Sequence, residues 1–574
     1  MSFKVFFTGF LNKKTYPKKN FLIEQFYIDK HNFDKKINFT KIDIPYSLIE
    51  FRKSYDFLNQ KKFLYKNCII KYLKIKFPKR KNFWDKTVDY WLIHFLSSIH
   101  IKYQKLKKIK KKYPDIRVFK LDPKKLHPIN QTSDFIELIE YSDALNIYIY
   151  QKIAEVLNIK LIDCDFKGTG IPKLLKNRNH EKKIQQNKTI LRKIKFMFIN
   201  LYCILREPYL LVDVYASRKF KIKCFLKSYG KFLPVSFESI FNDTKMIIKK
   251  ENLKYSTLRI SEKDEFDRII NNLINQCFPK ILYQNFDLKK LNFLKNIKGI
   301  FSSINLTSQD YFRFMISVLE KKKIFTLQHG GLYNMQKKNL IEDFEKKNST
   351  FLGWDRSLSY RAFFDHKFLQ KKTIIEKKNF ILFTTIKNIN IVRYESETTD
   401  FKTNNDLVKN NIVFYKNLNS QIRDLLIIRF PKHSYEWDLK GLWIKQLKNL
   451  KKKIKPPIFN NFDKAEIAIS NSKIFICDHI STAFFEALYC GVPIVMFDNL
   501  KKYDFNVKTL KLLSELKKNN IIHDSPQKCA TFINNNYNNI DNWWNDRKIQ
   551  KSINNLKKFI FSKDNELNLL NFNK

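Results

Sequence analysis

The run KKIFTL (322–327) leads directly into Gln328-His329-Gly330-Gly331. An imidazole with an unperturbed pKa near 6.5 suits a general base for an acceptor hydroxyl, or a neutral donor to a phosphate. Both roles stay open for His329, and Gln328 is grouped with it as catalytic. Two adjacent glycines would permit a sharp turn with positive φ and bring backbone N–H groups close to a ligand. Gly330 and Gly331 are conspicuous because the chain holds only 10 glycines in 574 residues. Average usage of about 7% would give roughly 40.

A second reactive stretch is CDHISTAFFEALYCGVPIVMFD (477–498). Ser481 and Thr482 are N-cap residue types, Gly491 stands where a helix would end at C′, and Pro493 opens the next apolar run. A helix starting here would turn free N–H groups and the positive end of its dipole toward an anion. The two hydroxyls could add donors to a diphosphate. Glu486 lies one turn beyond Thr482 on the same face, where it could accept hydrogen bonds from ribose hydroxyls. A third stretch is LLIIRFPKHSYEW (425–437). Arg429 ends an apolar run and can fork onto a phosphate, with Lys432 and His433 following in a loop.

These groups can meet only if the elements before them end at one place. YLLVDVYA (209–216), KGIFSSI (298–304), KKIFTL, NFILFTT (379–385), DLLIIRF (424–430), SKIFICD (472–478) and VPIVMFD (492–498) read as short apolar strands. Helical spacing at 263–277, 309–321, 404–422 and 481–490 alternates with them. This rhythm predicts parallel βαβ units with helices on both sheet faces. Ligands in such sheets bind beyond the carboxyl ends of the strands. The rhythm breaks near 355–378, which suggests two Rossmann-like domains facing each other: an N-terminal domain over 1–360 and a C-terminal domain over 361–545, followed by a terminal segment, 546–574. FKVFFTGF (3–10) reads as an opening strand ending at Gly9. Residues 134–158 read as one helix capped by Ser133, and 160–206 as loops and exposed helix.

Composition sets the outer limits. Hydrophobic residues form 44% of the chain, enough to bury a core. The formal net charge is +54, but its lysines are spread along the whole length, as in KKIKKKYP (107–114) and KNLKKKIKPP (448–457). No nucleic-acid-binding motif accompanies them, so nucleic acid is not expected as a partner. The charge favours anionic substrates and a salt-sensitive contact with an anionic inner-membrane leaflet. The closest cysteines, Cys477 and Cys490, are 13 residues apart, so no metal or redox CxxC exists. Free thiols, no signal peptide and no long apolar run fit a cytoplasmic protein.

The pattern S-T-x-F-x-E-A-L-x-x-G-x-P resembles the nucleotide-binding segment of GT-B glycosyltransferases and of CDP-glycerol glycerophosphotransferases. The wider set is more similar still to a family of transferases found in O-antigen and surface-carbohydrate gene clusters. Its marks here are Gln328–Gly331 with Tyr333, Glu342 and Glu345, Gly353-Trp354, Ser481-Thr482 with Glu486, and Trp543-Trp544. VDYWLIHFL (88–96) and IIHDSPQKCATFI (521–533) also match family segments.

That resemblance implies a GT-B fold. The C-terminal domain would grip a nucleotide-activated sugar donor, and the N-terminal domain would carry the acceptor site and the base. The helix at 542–562 would cross back to the first domain. Helix dipole, arginine and hydroxyls would stabilise the leaving diphosphate, with no metal and no cofactor. Asp541, Trp543 and Trp544 are read as packing residues. The expected activity is transfer of a sugar to a glycan or lipid-linked acceptor of O-antigen or capsule assembly. Two alternatives stand beside it: transfer of a polyol phosphate from a CDP-alcohol, and a non-catalytic basic protein that binds membrane or nucleic acid.

Overall fold

A computed structural model describes residues 4–6, 8, 20–24, 39–42, 44, 48–76, 84–163, 189–240, 248–249, 258–283, 285–286, 293–319, 322–354, 380–385, 404–430, 439–450, 454–460 and 465–561. Three parallel sheets organise them. The first holds β1 (Lys4–Phe6), β2 (Asn20–Glu24), β3 (Phe39–Ile42), β4 (Arg117–Lys120) and β5 (Lys160–Asp163) in the order 3-2-1-4-5. The second holds β6 (Tyr209–Val212), β7 (Phe232–Val235), β10 (Gly299–Ser302), β11 (Lys323–Leu327) and β12 (Thr350–Leu352) in the order 12-11-10-6-7. Between β7 and β10 in the chain lies a small antiparallel ribbon of β8 (Ile248–Lys249) and β9 (Asn285–Phe286). The third holds β13 (Ile381–Thr384), β14 (Leu426–Arg429), β15 (Ile458–Phe459), β16 (Ile474–Cys477), β17 (Ile494–Phe497) and β18 (Ile522–His523) in the order 15-14-13-16-17-18.

The second and third sheets are doubly wound, as their alternating apolar strands predict. β10, β13, β16 and β17 are buried along their whole length, as strands covered by helices on both faces must be. In each sheet the chain leaves one edge and restarts on the other side of its first strand. The switch points lie between β6 and β10, and between β13 and β16. The first sheet goes beyond the predicted domain plan. Its strands are short and separated by Lys- and Asn-rich sequence, so only β1 stood out as an apolar run. The proposed boundary near 355–378 lies outside the described residues apart from its flanks.

Helices packed around the sheets include α1 (Leu48–Lys76), α2 (Trp84–Lys112), α3 (Thr189–Arg206), α4 (Arg218–Lys227), α5 (Leu340–Asn348), α6 (Thr482–Cys490), α7 (Val507–Lys518) and α8 (Arg547–Ile560). α2 is the central strut of the N-terminal half. It contacts helix Asp143–Val156 of the first sheet, and helix Asp310–Val318 and α5 of the second. One hydrophobic core therefore runs through both sheets. Among the described residues no helix is long and apolar enough to cross a membrane.

Two local expectations change. Residues 134–158 form two helices, Thr132–Tyr141 and Asp143–Val156. Ser142 breaks them because its side chain accepts the Leu145 N–H and caps the second; Gln131, not Ser133, is the N-cap of the first. The tryptophan pair does pack, but inside the C-terminal half: Trp544 donates its ring N–H to the Gly491 carbonyl at 3.1 Å, and Trp543 lies 4.9 Å from Phe532. α8 packs on α6 and α7, and just beyond its end Phe561 meets Trp354 at 6.2 Å. The end of the described chain thus returns to the loop that follows β12.

Both N-terminal sheets are pinned together by a buried ionic knot. The Thr132 N–H and hydroxyl each donate to Asp310 at 2.7 Å. Arg313 pairs with Asp310, donates to the Leu306 and Thr307 carbonyls at 2.7 and 3.0 Å, and stacks on Tyr90. Removing the carboxylate strands a buried guanidinium. Asp310→Ala should lower the unfolding free energy by about 3–5 kcal/mol, read from the urea midpoint. A change below about 1 kcal/mol would contradict this account of the core.

Candidate active site

The QHGG segment leaves the carboxyl end of β11, and its histidine turns toward the switch point of the second sheet. The Ser303 backbone, just past β10, forms a hydrogen bond with the imidazole. His329 Nδ1 is buried and has no hydrogen-bond partner. A neutral imidazole keeps one nitrogen with a free lone pair, so the ring can accept a proton in this position. Burial pushes the imidazole pKa down to about 4, and the Ser303 bond offsets only part of this. Tyr333 packs edge-on against the ring at 5.7 Å.

Gln328 holds the loop in shape. Its side chain donates to the Gly330 carbonyl at 2.8 Å and accepts the Trp354 N–H at 2.9 Å. Its own carbonyl accepts the Trp354 ring N–H at 3.1 Å. Gln328 thereby fastens QHGG to Gly353-Trp354, so two widely spaced motifs form one unit.

The glycine pair has a different reason from the one predicted. Neither Gly330 nor Gly331 has positive φ; that conformation falls on Leu332 (φ 70°) and Asn334 (φ 61°). The glycines are needed for close approach. The Gly331 N–H donates to Thr482 Oγ1 at 3.0 Å. A Cβ on Gly331 would lie 2.6 Å from the Phe485 ring, whereas one on Gly330 would meet Thr482 Oγ1 at 3.6 Å. Thr482 is thus partly engaged with the loop of the second sheet.

On the other side of this contact, Ser481 is the N-cap of α6 but makes no side-chain cap bond, and its Oγ is buried without a partner. Gly491 ends α6 at φ 72°, as its place in the sequence predicts. Arg429 ends β14 next to Thr384 of β13. Arg429 Nε and Thr384 Oγ1 are also buried without partners. Burial lowers the Arg429 pKa, while Glu486 and then Glu466 oppose that shift. Glu486 is buried and close enough for its charge to be felt by Arg429. His433 and Lys432 lie outside the described residues.

Sequence reasoning gave three groups no role of their own. Asp478 follows β16, and its carboxylate pairs with His479 Nδ1 at 2.7 Å and accepts from Asn411 at 3.0 Å and from the Thr385 hydroxyl. This network braces the third sheet's switch point. The signal was present in ICDHIS, where an acid and a histidine follow a strand. Tyr215, just beyond β6, packs on the core of the C-terminal half. Glu345 of α5 is completely buried, and both its oxygens lack a geometrically formed hydrogen bond. Burial first, and Glu342 in addition, raise its pKa to about 8, with Tyr333 acting in the opposite direction.

Next to the loop, a cavity of about 450 Å³ is lined by Tyr333, Asn334, Lys346, Phe351, Trp354, Phe485 and Phe559, among others. It brings together side chains from both halves of the molecule. The halves are also clamped beside it. The Asn506 N–H donates to the Met335 carbonyl, the Lys337 N–H to the Asp504 carbonyl, and Arg52 of α1 pairs with Asp504 at 2.6 Å.

The model of a family described as LIC12162 family transferase matches residues 6–571. No curated protein matches. Among solved structures, Anabaena Alr3699/HepE in complex with UDP and glucose is 12% identical, over 62% of this chain and 96% of that one, with a TM-score of 0.32. UDP-GlcNAc 2-epimerase from Neisseria meningitidis bound to UDP-GlcNAc is 8% identical, over 61% of this chain and 99% of that one, with a TM-score of 0.30.

Two tests follow from this geometry. Gly331→Ala should destabilise by about 1–3 kcal/mol in thermal unfolding, because Phe485 must move, while Gly330→Ala should change stability by less than about 1 kcal/mol. Equal effects would contradict the close-approach account. Glu345 titrates at about 8 folded against a reference value of 4.5. The folded state then holds the extra proton between those values, so stability is present at low pH and lost as pH rises toward 8. Glu345→Gln should gain stability relative to the parent between pH 5 and 8, by about 2 kcal/mol or more. A pH-independent difference would refute the assignment.

Proposed function

The chain belongs to the LIC12162 transferase family, and from that premise we propose that it is a glycosyltransferase of GT-B type. It moves a sugar from a nucleotide-activated donor to a glycan or lipid-linked acceptor in O-antigen or capsule assembly. One observation carries this reading. Four buried polar atoms without partners, His329 Nδ1, Thr384 Oγ1, Arg429 Nε and Ser481 Oγ, lie at strand ends and a helix N-terminus around the contact between the second and third sheets. Unsatisfied buried polar groups are costly in a resting protein and are recovered when a polar ligand completes them.

Their chemistry divides into two sides. Arg429, Ser481, Thr384 and the start of α6 offer donors to a leaving diphosphate, so the departing charge is stabilised by protein groups. Glu486, whose charge acts on Arg429, is the candidate contact for ribose hydroxyls. On the opposing side His329 offers a lone pair. At neutral pH it is uncharged, which suits an acceptor of the attacking hydroxyl's proton better than an electrostatic partner for phosphate. Attack on the anomeric carbon forms the new glycosidic bond as the bond to the diphosphate oxygen breaks, and the proton passes to the unprotonated nitrogen of the imidazole. The cavity beside Tyr333 and Trp354 is the candidate acceptor pocket.

His329→Ala should abolish turnover while leaving thermal unfolding and donor binding near the parent values. The acid limb of kcat/KM should fall near pH 4 rather than near 6.5. A thermal-shift screen of UDP-, GDP- and CMP-sugars against CDP-glycerol identifies the donor, because a ligand that binds only the folded state raises the melting temperature. Stabilisation by CDP-glycerol alone would reassign the protein to polyol-phosphate transfer. Unchanged turnover in His329→Ala would remove the base from this scheme.

A further inference from the structure

Helix α3 carries apolar side chains on two opposite faces. Ile199 and Cys203 are buried, and Phe196 packs on Phe293 at 5.5 Å. On the other face Ile194, Met197, Phe198, Leu201, Ile204 and Leu205 are 53–69% exposed. At about 100° per residue these six fall within an arc of about 120°. A single exposed apolar residue is ordinary, but a contiguous row marks an interaction surface.

The row continues onto α4. Tyr202 of α3 packs on Phe225 of α4 at 6.0 Å and donates to the Gly230 carbonyl at 3.0 Å, which ties the two helices together at this residue. At the solvent side of α4, Ile222 is 47% exposed and Leu226 64%, and Tyr229 just beyond is 89% exposed. Lys219, Lys223 and Lys227 are exposed on the same helix at four-residue spacing. Lys195 and Arg206 are exposed on α3. Neither helix contains an aspartate or a glutamate.

We propose that this two-helix face is a membrane-docking surface. The apolar row lies in the interfacial layer of one bilayer leaflet, and the lysines at its edge meet anionic headgroups. An apolar face rimmed by cations is the signature of a helix lying in the plane of an anionic membrane. α3 lies on the membrane and does not span it, since no described helix is apolar enough to cross. A second copy of this chain is the poorer occupant, because it would set two basic rims against each other. The inference rests on the surface alone and does not depend on the transferase reading.

Flotation of the full chain with vesicles tests it. Vesicles of phosphatidylcholine with about one third phosphatidylglycerol should capture the protein, and pure phosphatidylcholine should capture less. Phe198→Asp and Leu201→Asp should each weaken capture by about tenfold or more. Ile75→Asp on α1, equally well exposed at 70%, should leave it unchanged. Thermal unfolding of each variant reports its folding. If an aspartate variant fails that control, Lys219→Glu with Lys223→Glu should reduce capture in a salt-dependent manner. Three outcomes would overturn the proposal: no capture of the parent, equal capture of the aspartate variants, or a dimer in light scattering that those variants convert to monomer.

Discussion

The hydrogen bond from the Gly331 N–H to Thr482 Oγ1 is the contact on which the rest of the arrangement depends. It joins a loop at the end of one sheet to the first turn of a helix that follows a strand of another. Only a residue without a side chain can bring the loop this near, because Phe485 fills the space that a Cβ would need. The contact brings two switch points to one place: His329 approaches from one side, and Ser481, Arg429 and Thr384 from the other. Gln328 and Trp354 then fix the loop from behind.

The energetic character of the site follows from that closeness. Closing two sheets on each other removes water from groups that would normally keep it, and the field around each charge or dipole strengthens accordingly. Four of those groups have no protein partner. By contrast Asp478, just past β16, is held by His479, Asn411 and Thr385, and its pKa falls despite complete burial.

The sequence made much of this visible, for physical reasons. Short apolar runs separated by helical spacing can hardly become anything but buried parallel strands, so β6, β10, β11, β13, β14, β16 and β17 were all legible. Gly491 was legible because a helix that must stop with a left-handed residue prefers glycine. The purpose of Gly331 was not, since close approach depends on a partner 151 residues away. Beyond β1 the first sheet was hidden because charged or polar residues interrupt or end its short apolar runs, as in FTKI, RVFK and KLID. Glu345 looked like an ordinary helical glutamate; its burial is set by α2 and β12 packing over α5, which no local pattern records.

Leu332 and Asn334 hold left-handed backbone conformations immediately after the glycine pair. A branched side chain such as leucine adopts that geometry only when its surroundings impose it. Here the surroundings are the core of the C-terminal half, in which Leu332 and Met335 are both buried, and the Gln336–Phe505 bridge. The loop is therefore a product of assembly: the N-terminal chain supplies its sequence, and the C-terminal half supplies its shape. In an isolated N-terminal fragment nothing from the C-terminal core would hold Leu332 in that conformation. The shape of the loop that carries His329 thus depends on both halves being docked.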